Sequence, residues 1–202
     1  RNKAIDGVLA HFKEFKSYCF ISATPIPEVF KPTIFNGIPE HIADWNEVDD
    51  ITVYPYHTDK PYMIAAQFIK VYQTKGFLNV NGKESKEAYF FINSVTEIKA
   101  ILKQTQLTED DYRIICADNN KNRMTLKGYT ISSSTDTPKK FNFITSKSFE
   151  GVDFHSESGI CFVVSNVQNR HTLVSIDMDI PQIAGRIRTK TNPFRNKIVH
   201  IF

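Results

Sequence analysis

Cysteine is scarce in this sequence, and its three occurrences exclude two common architectures. Cys19, Cys116 and Cys161 are odd in number, far apart, and each is set in an apolar run. A disulfide-stapled fold needs an even set of cysteines, and a structural zinc site needs pairs such as Cys-x-x-Cys; neither pattern is present. The six histidines show no i, i+4 pairing, so no metal site is expected. The cysteines read as reduced core residues of a cytoplasmic protein.

Long apolar runs are also missing. None approaches the roughly 18 residues needed to cross a bilayer, so no membrane association is expected. The stretch from Arg1 to Phe15 interleaves apolar and charged residues at helical spacing, unlike the continuous apolar core of a signal peptide. It opens on arginine rather than methionine, which reads as a fragment or a processed product.

Glycine is limited to 8 of 202 residues, and no glycines form a phosphate loop. The nearest approach, Gly82-Lys83, has no glycine five residues earlier, and Glu84 stands where a hydroxyl residue would meet magnesium. No Asp-Glu-x-[Asp/His] run is present, nor a local Ser/His/Asp or Cys/His arrangement. The formal charge of +3 permits a polyanionic partner without announcing one.

What is present is an alternation of buried strands and amphipathic helices. Ile5, Val8, Leu9, Phe12 and Phe15 predict a helix to about Lys16, and Tyr18 to Ile21 a strand. Residues 26–50, with their prolines and Gly37, read as an irregular connector, and Trp45 as a packing anchor. Ile51 to Tyr56 predicts a strand, Pro61 to Gly76 a helix, and Asn81-Gly82 a tight turn. Ala88 to Ile92 is a continuous apolar run, the pattern of a strand buried on both faces, and Tyr112 to Ala117 reads as another buried strand. Between them, Ser94-Val95-Thr96-Glu97 is a capping box that opens a helix. This strand–helix–strand unit predicts an α/β fold with a mainly parallel sheet. Leu126 to Thr137 reads as a loop. Further strands are expected at Phe141 to Ile144, Gly159 to Val164, Thr172 to Ile176 and Lys197 to Phe202. A helix is expected at Pro181, with Asp179 as its cap.

Two phrases in the last third carry the chemistry. Thr145-Ser146-Lys147-Ser148-Phe149-Glu150-Gly151-Val152-Asp153-Phe154 follows a strand, where open α/β sheets place ligands. Gln182-Ile183-Ala184-Gly185-Arg186-Ile187-Arg188 brings two guanidinium groups just after a helix opening. With Ser22-Ala23-Thr24 and Phe91-Ile92-Asn93-Ser94, and in this order, the phrases resemble the later motifs of superfamily 2 helicases. These are the Ser-Ala-Thr motif closing the first RecA-like domain, the strand-end motif opening the second, the Thr…Gly-x-Asp motif, and the Gln-x-x-Gly-Arg arginine-finger motif. The Gly-Arg-x-Arg spacing is similar to that of viral and mobile-element helicases, including herpesvirus origin-binding proteins.

The resemblance implies residues 1–24 as the end of a first RecA-like domain, 25–50 as a connector and 51–202 as a second RecA-like domain. It implies Arg186 or Arg188 as an arginine finger, with Gln182 contacting nucleotide or the coupling network. Gly151 and Asp153 would sit at the nucleotide cleft. Thr145, with Asn93 or Ser94, would contact a single-stranded or duplex nucleic-acid backbone. Ser22 and Thr24 would couple ATP state to domain movement. ATP and Mg2+ would bind only together with the missing first domain, so the chain alone is not expected to hydrolyse ATP. The arginines stand two apart rather than three, and on a continuous helix they would diverge by about 200°. Plainer roles stay open: a solvated basic helix end for the arginines, a turn carboxylate for Asp153, a strand-end hydroxyl for Thr145, and a turn cap for Ser22 and Thr24. Without the phosphate loop, a non-catalytic binding or scaffold module is the alternative.

Overall fold

The computed structural model describes residues 3–22, 28–43, 50–146, 149 and 152–202. It divides into two compact units, Arg1–Val48 and Asp49–Phe202. In the first, helix α1 (Lys3–His11) runs into a 3-10 turn, Phe12–Glu14. Phe12 is buried, with the rings of Tyr18 and Phe20 edge-on to it at 4.8 and 5.0 Å, and Phe35 lies against Phe20 at 4.9 Å. The expected strand at Tyr18 to Ile21 is irregular instead. Among the described residues no other chain segment pairs with it, and a strand without a hydrogen-bonding neighbour has nothing to fix its geometry. Its aromatic rings form a local cluster with Phe12. Two 3-10 turns, Glu28–Phe30 and Thr33–Phe35, occupy part of the expected connector; Trp45 lies outside the described residues.

The second unit is an α/β fold around a six-stranded parallel sheet. Its strands are β1 (Thr52–Tyr56), β4 (Glu87–Phe91), β5 (Tyr112–Ile115), β6 (Phe141–Ile144), β7 (Gly159–Val164) and β8 (Lys197–Ile201), in the order β1-β8-β7-β4-β6-β5. Strands β2 (Leu78–Val80) and β3 (Lys83–Ser85) form a separate hairpin, turned at Asn81 and Gly82, both with positive φ. The four central strands are apolar on both faces because helices cover one side and a helix plus a loop the other.

On the first face, α2 (Pro61–Lys75) and α3 (Val95–Thr105) bury Ala65, Ile69, Ile98 and Leu102 against Phe90, Phe143 and Phe162. Proline stands at the first turn of α2 and a left-handed Gly76 at its end, the usual pairing of start and stop residues. The opposite face packs Tyr89, Phe91, Ile144 and Val163 under Phe149, Phe154 and α5 (Asp179–Ala184).

Several expectations change. The expected strand at Thr172 to Ile176 is a 3-10 turn, Arg170–Thr172, followed by irregular chain, with Leu173 and Ile176 exposed. The Thr172 hydroxyl donates to the Asn169 carbonyl and accepts the Asn166 amide, closing a turn where a strand would need both groups extended. Asn119 caps a short helix not expected from the sequence, α4 (Asn120–Thr125). Asp179 lies inside the first turn of α5 rather than at its cap, and its carboxylate accepts the Ser175 amide at 2.7 Å.

The two sheet edges differ. Beyond β5, the Ser132 amide donates to the Ile114 carbonyl, so a following loop covers that edge. On β1, Thr52 and Thr58 turn their amides toward Asn196 and Phe202 beside them. Alternation along the strand therefore points the backbone groups of Val53 and Pro55 away from the sheet, and proline there costs no ladder hydrogen bond. Among the described residues, no helix is long and apolar enough to cross a membrane.

Candidate functional site

All six strands run the same way, so the loops after β4, β5, β6 and β7 gather at one edge of the sheet. They enclose an open groove of about 510 Å3. Ser94, at the start of α3, contributes the cap: its Oγ accepts the Glu97 amide at 3.4 Å. The N-terminal dipole of α3 thus opens into the groove wall. Thr145 is buried, and its amide donates to the Ile115 carbonyl at 3.0 Å. Asn93 acts as a tie between loops. Its Nδ2 donates to the His171 carbonyl at 2.6 Å and its Oδ1 accepts the Ser146 hydroxyl at 2.7 Å.

Asn93, Ser94 and Thr145 are therefore brought together in one groove lining. The groove also takes in Lys121, Asn122 and His171, which sequence reasoning passed over. The signal available for Lys121 and Asn122 was the polar run after β5. His171 stands just before the expected strand at Thr172 and belongs to no motif that could have marked it.

The second cluster is built from the two phrases. The helix α5 ends at Ala184, and Ile187 then forms an isolated parallel bridge with Phe154. The Phe154 amide donates to the Arg186 carbonyl at 2.8 Å, and the Arg188 amide donates to the Phe154 carbonyl at 2.9 Å. This corrects the expected divergence of the arginines on a helix. In an extended segment, residues two apart share a face, and both guanidinium groups reach the same carboxylate. Arg188 Nε lies 2.9 Å and Arg186 Nη1 3.5 Å from Asp153 Oδ1.

The two arginines differ in access. The Arg186 side chain is 13% exposed and its Nε donates to the Gln182 carbonyl at 2.8 Å, whereas Arg188 is 48% exposed. Gln182 thus enters the cluster through its backbone. A Cβ at Gly185 would make only ordinary contacts, at 3.6 Å or more, so no neighbouring group requires a glycine there. Beneath the cluster, burial pushes the Cys161 thiol well above its usual range despite the opposing effect of Arg186. Cys161 is a packed, unreactive thiol.

Asp153, Gln182, Arg186 and Arg188 are absent from the groove lining, so the groove and the arginine cluster are separate sets of residues. Ser22 is exposed and belongs to the first unit. Thr24 and Gly151 lie outside the described residues. Among the described residues, no group of three or more His, Cys, Asp or Glu side chains could hold a metal ion. No protein-family model matches the chain, and no curated protein matches its sequence.

Proposed function

We propose that this chain is the second RecA-like domain of a superfamily 2 helicase or translocase. It works with a first domain that carries the phosphate loop and the magnesium ligands. The observation that carries the reading is the convergence of Arg186 and Arg188 on Asp153, in a frame set by the backbone of Phe154. A guanidinium fork matches phosphate oxygens, and charge on a transferring phosphoryl group is what such a fork stabilises.

Arg188 is the more accessible of the pair and is assigned the contact with the nucleotide. Arg186 holds Asp153 and the end of α5 in place. The chain supplies these donors and a carboxylate at the cleft, while ATP and Mg2+ are held chiefly by the first domain. A nucleic-acid strand lies along the groove at the strand ends. There the hydroxyls of Ser94 and Thr145 and the cation of Lys121 meet the backbone, contacts that position a strand without reading its sequence.

The test is nucleic-acid-stimulated ATP hydrolysis by the protein carrying both domains. Arg188→Ala is expected to lower turnover by about 10³-fold, the usual scale for an arginine finger. Arg186→Ala is expected to lower it as well, through loss of the frame. Unchanged turnover in both variants would remove the finger assignment, and absence of nucleic-acid-stimulated turnover in the parent would leave a non-catalytic binding or scaffold module. In that case, salt-dependent binding of single strands by this chain separates nucleic acid from protein as the partner.

A further inference from the structure

The apolar central strands are interrupted at one level by a single rung of polar or polarisable side chains. Arg113 of β5 is registered with Asn142 of β6, which is registered with Tyr89 of β4, which is registered with Cys161 of β7. All four are buried, at 2% exposure or less. They share the face of the sheet that carries the arginine cluster. A buried guanidinium is costly unless its donors are matched, and Arg113 is matched only in part. Its Nε donates to Asn142 Oδ1 at 3.0 Å and its Nη1 to the Asp136 carbonyl, while Nη2 has no hydrogen-bond partner among the described residues. An apolar side chain would suit this position better if the fold alone were at stake.

What lies over the rung is Phe154. Its ring stacks on Tyr89 with centroids 4.1 Å apart, and the Arg113 guanidinium carbon lies 5.9 Å from the ring centroid, within cation–π range. Tyr89 is fixed from two sides. Its hydroxyl donates to the Glu87 carboxylate at 2.8 Å, and its ring edge would be 2.4 Å from a Cβ at Gly159. The backbone of Phe154 in turn bonds Arg186 and Arg188, and the preceding residue is Asp153.

We propose that Arg113 and Tyr89 form a buried platform that seats Phe154, and that Arg113 and Phe154 are thereby positioning residues for the Arg186–Asp153–Arg188 cluster. Neither touches the nucleotide; both set the register in which the two arginines share one carboxylate. The catalytic consequence rests on the function proposed above, but the positioning itself is measurable on this chain without any nucleotide.

The experiment follows the guanidinium Nε–H signals of Arg186 and Arg188 by NMR in the 202-residue chain, comparing Arg113→Met and Phe154→Leu with the parent. Arg113→Met removes the buried cation and keeps a long side chain, a change that is often neutral or stabilising for a fold. Circular dichroism and the unfolding midpoint check that the fold is retained. If the platform positions the cluster, Arg188 Nε–H exchanges faster by about threefold in both variants, the scale expected for loss of a half-exposed ion-pair hydrogen bond. Asp153→Asn gives the same gain in exchange without altering the platform, which calibrates the signal.

A merely structural Arg113 would change the unfolding midpoint and leave Arg188 exchange as in the parent, and that result overturns the proposal. If Arg113→Met does not fold, Phe154→Leu decides in the same way. In the two-domain protein, both variants are expected to lower kcat while leaving KM for nucleic acid unchanged, since the groove is a separate set of residues. Absence of any ATPase activity would count against the helicase reading, and the exchange result would still decide the positioning claim.

Discussion

Asp153 Oδ1 lies 3.5 Å from Arg186 Nη1 and 2.9 Å from Arg188 Nε, and the Arg188–Asp153 pair is about half exposed. Such a pair adds little stability, so its loss is expected to leave the fold intact. A second residue-level consequence concerns His200. Its Nε2 lies 3.1 Å from the Ser165 hydroxyl and its ring packs on Phe202, and burial holds its imidazole below the usual value of 6.5. The folded state therefore resists protonation more than the unfolded chain does. Its contribution to stability is complete above the unfolded pKa and declines as pH falls through the window below 6.5. Urea unfolding of the parent and of His200→Asn across that window checks this: the parent should lose more stability on acidification, and parallel curves would refute it. At this scale the sequence was half informative. The phrases containing Asp153, Arg186 and Arg188 were visible, but their convergence depends on α5 ending at Ala184, which spacing alone did not reveal. Arg113 was passed over because it stands second in its strand and belongs to neither phrase.

At the scale of elements, the capping box was legible because its chemistry is local. Ser94 closes α3 and at the same time edges the groove. Ser94→Ala is expected to cost about 1 kcal/mol of stability, measured by urea unfolding, and a loss below a few tenths would show that the Glu97 amide finds another acceptor. Helix α2 was equally legible, since Pro61 and Gly76 mark its two ends. The failures have a common cause. Tyr18 to Ile21 and Thr172 to Ile176 have strand-like composition, but strand formation is decided by a partner elsewhere in the chain, and composition does not report one. Just before the second of these segments, the carbonyl of His171 is tied by Asn93.

For the whole molecule, the alternation of strands and helices was enough to specify a parallel sheet, but not its order. β6 inserts between β4 and β5, and β8 lies beside β1, an order set by long-range pairing that no local pattern reports. The position of Pro55 on the outer side of β1 has a consequence for the molecule among its own copies. An edge strand is a template on which another chain can add, and a missing amide at its centre leaves the template incomplete. Pro55→Val would restore the row of outward donors. Light scattering at rising concentration should then show growth of oligomers in the variant while the parent remains unassociated; identical traces would deny proline this role. In a protein whose other edge is covered by its own loop, addition of further copies to the sheet is expected to be decided at that single residue.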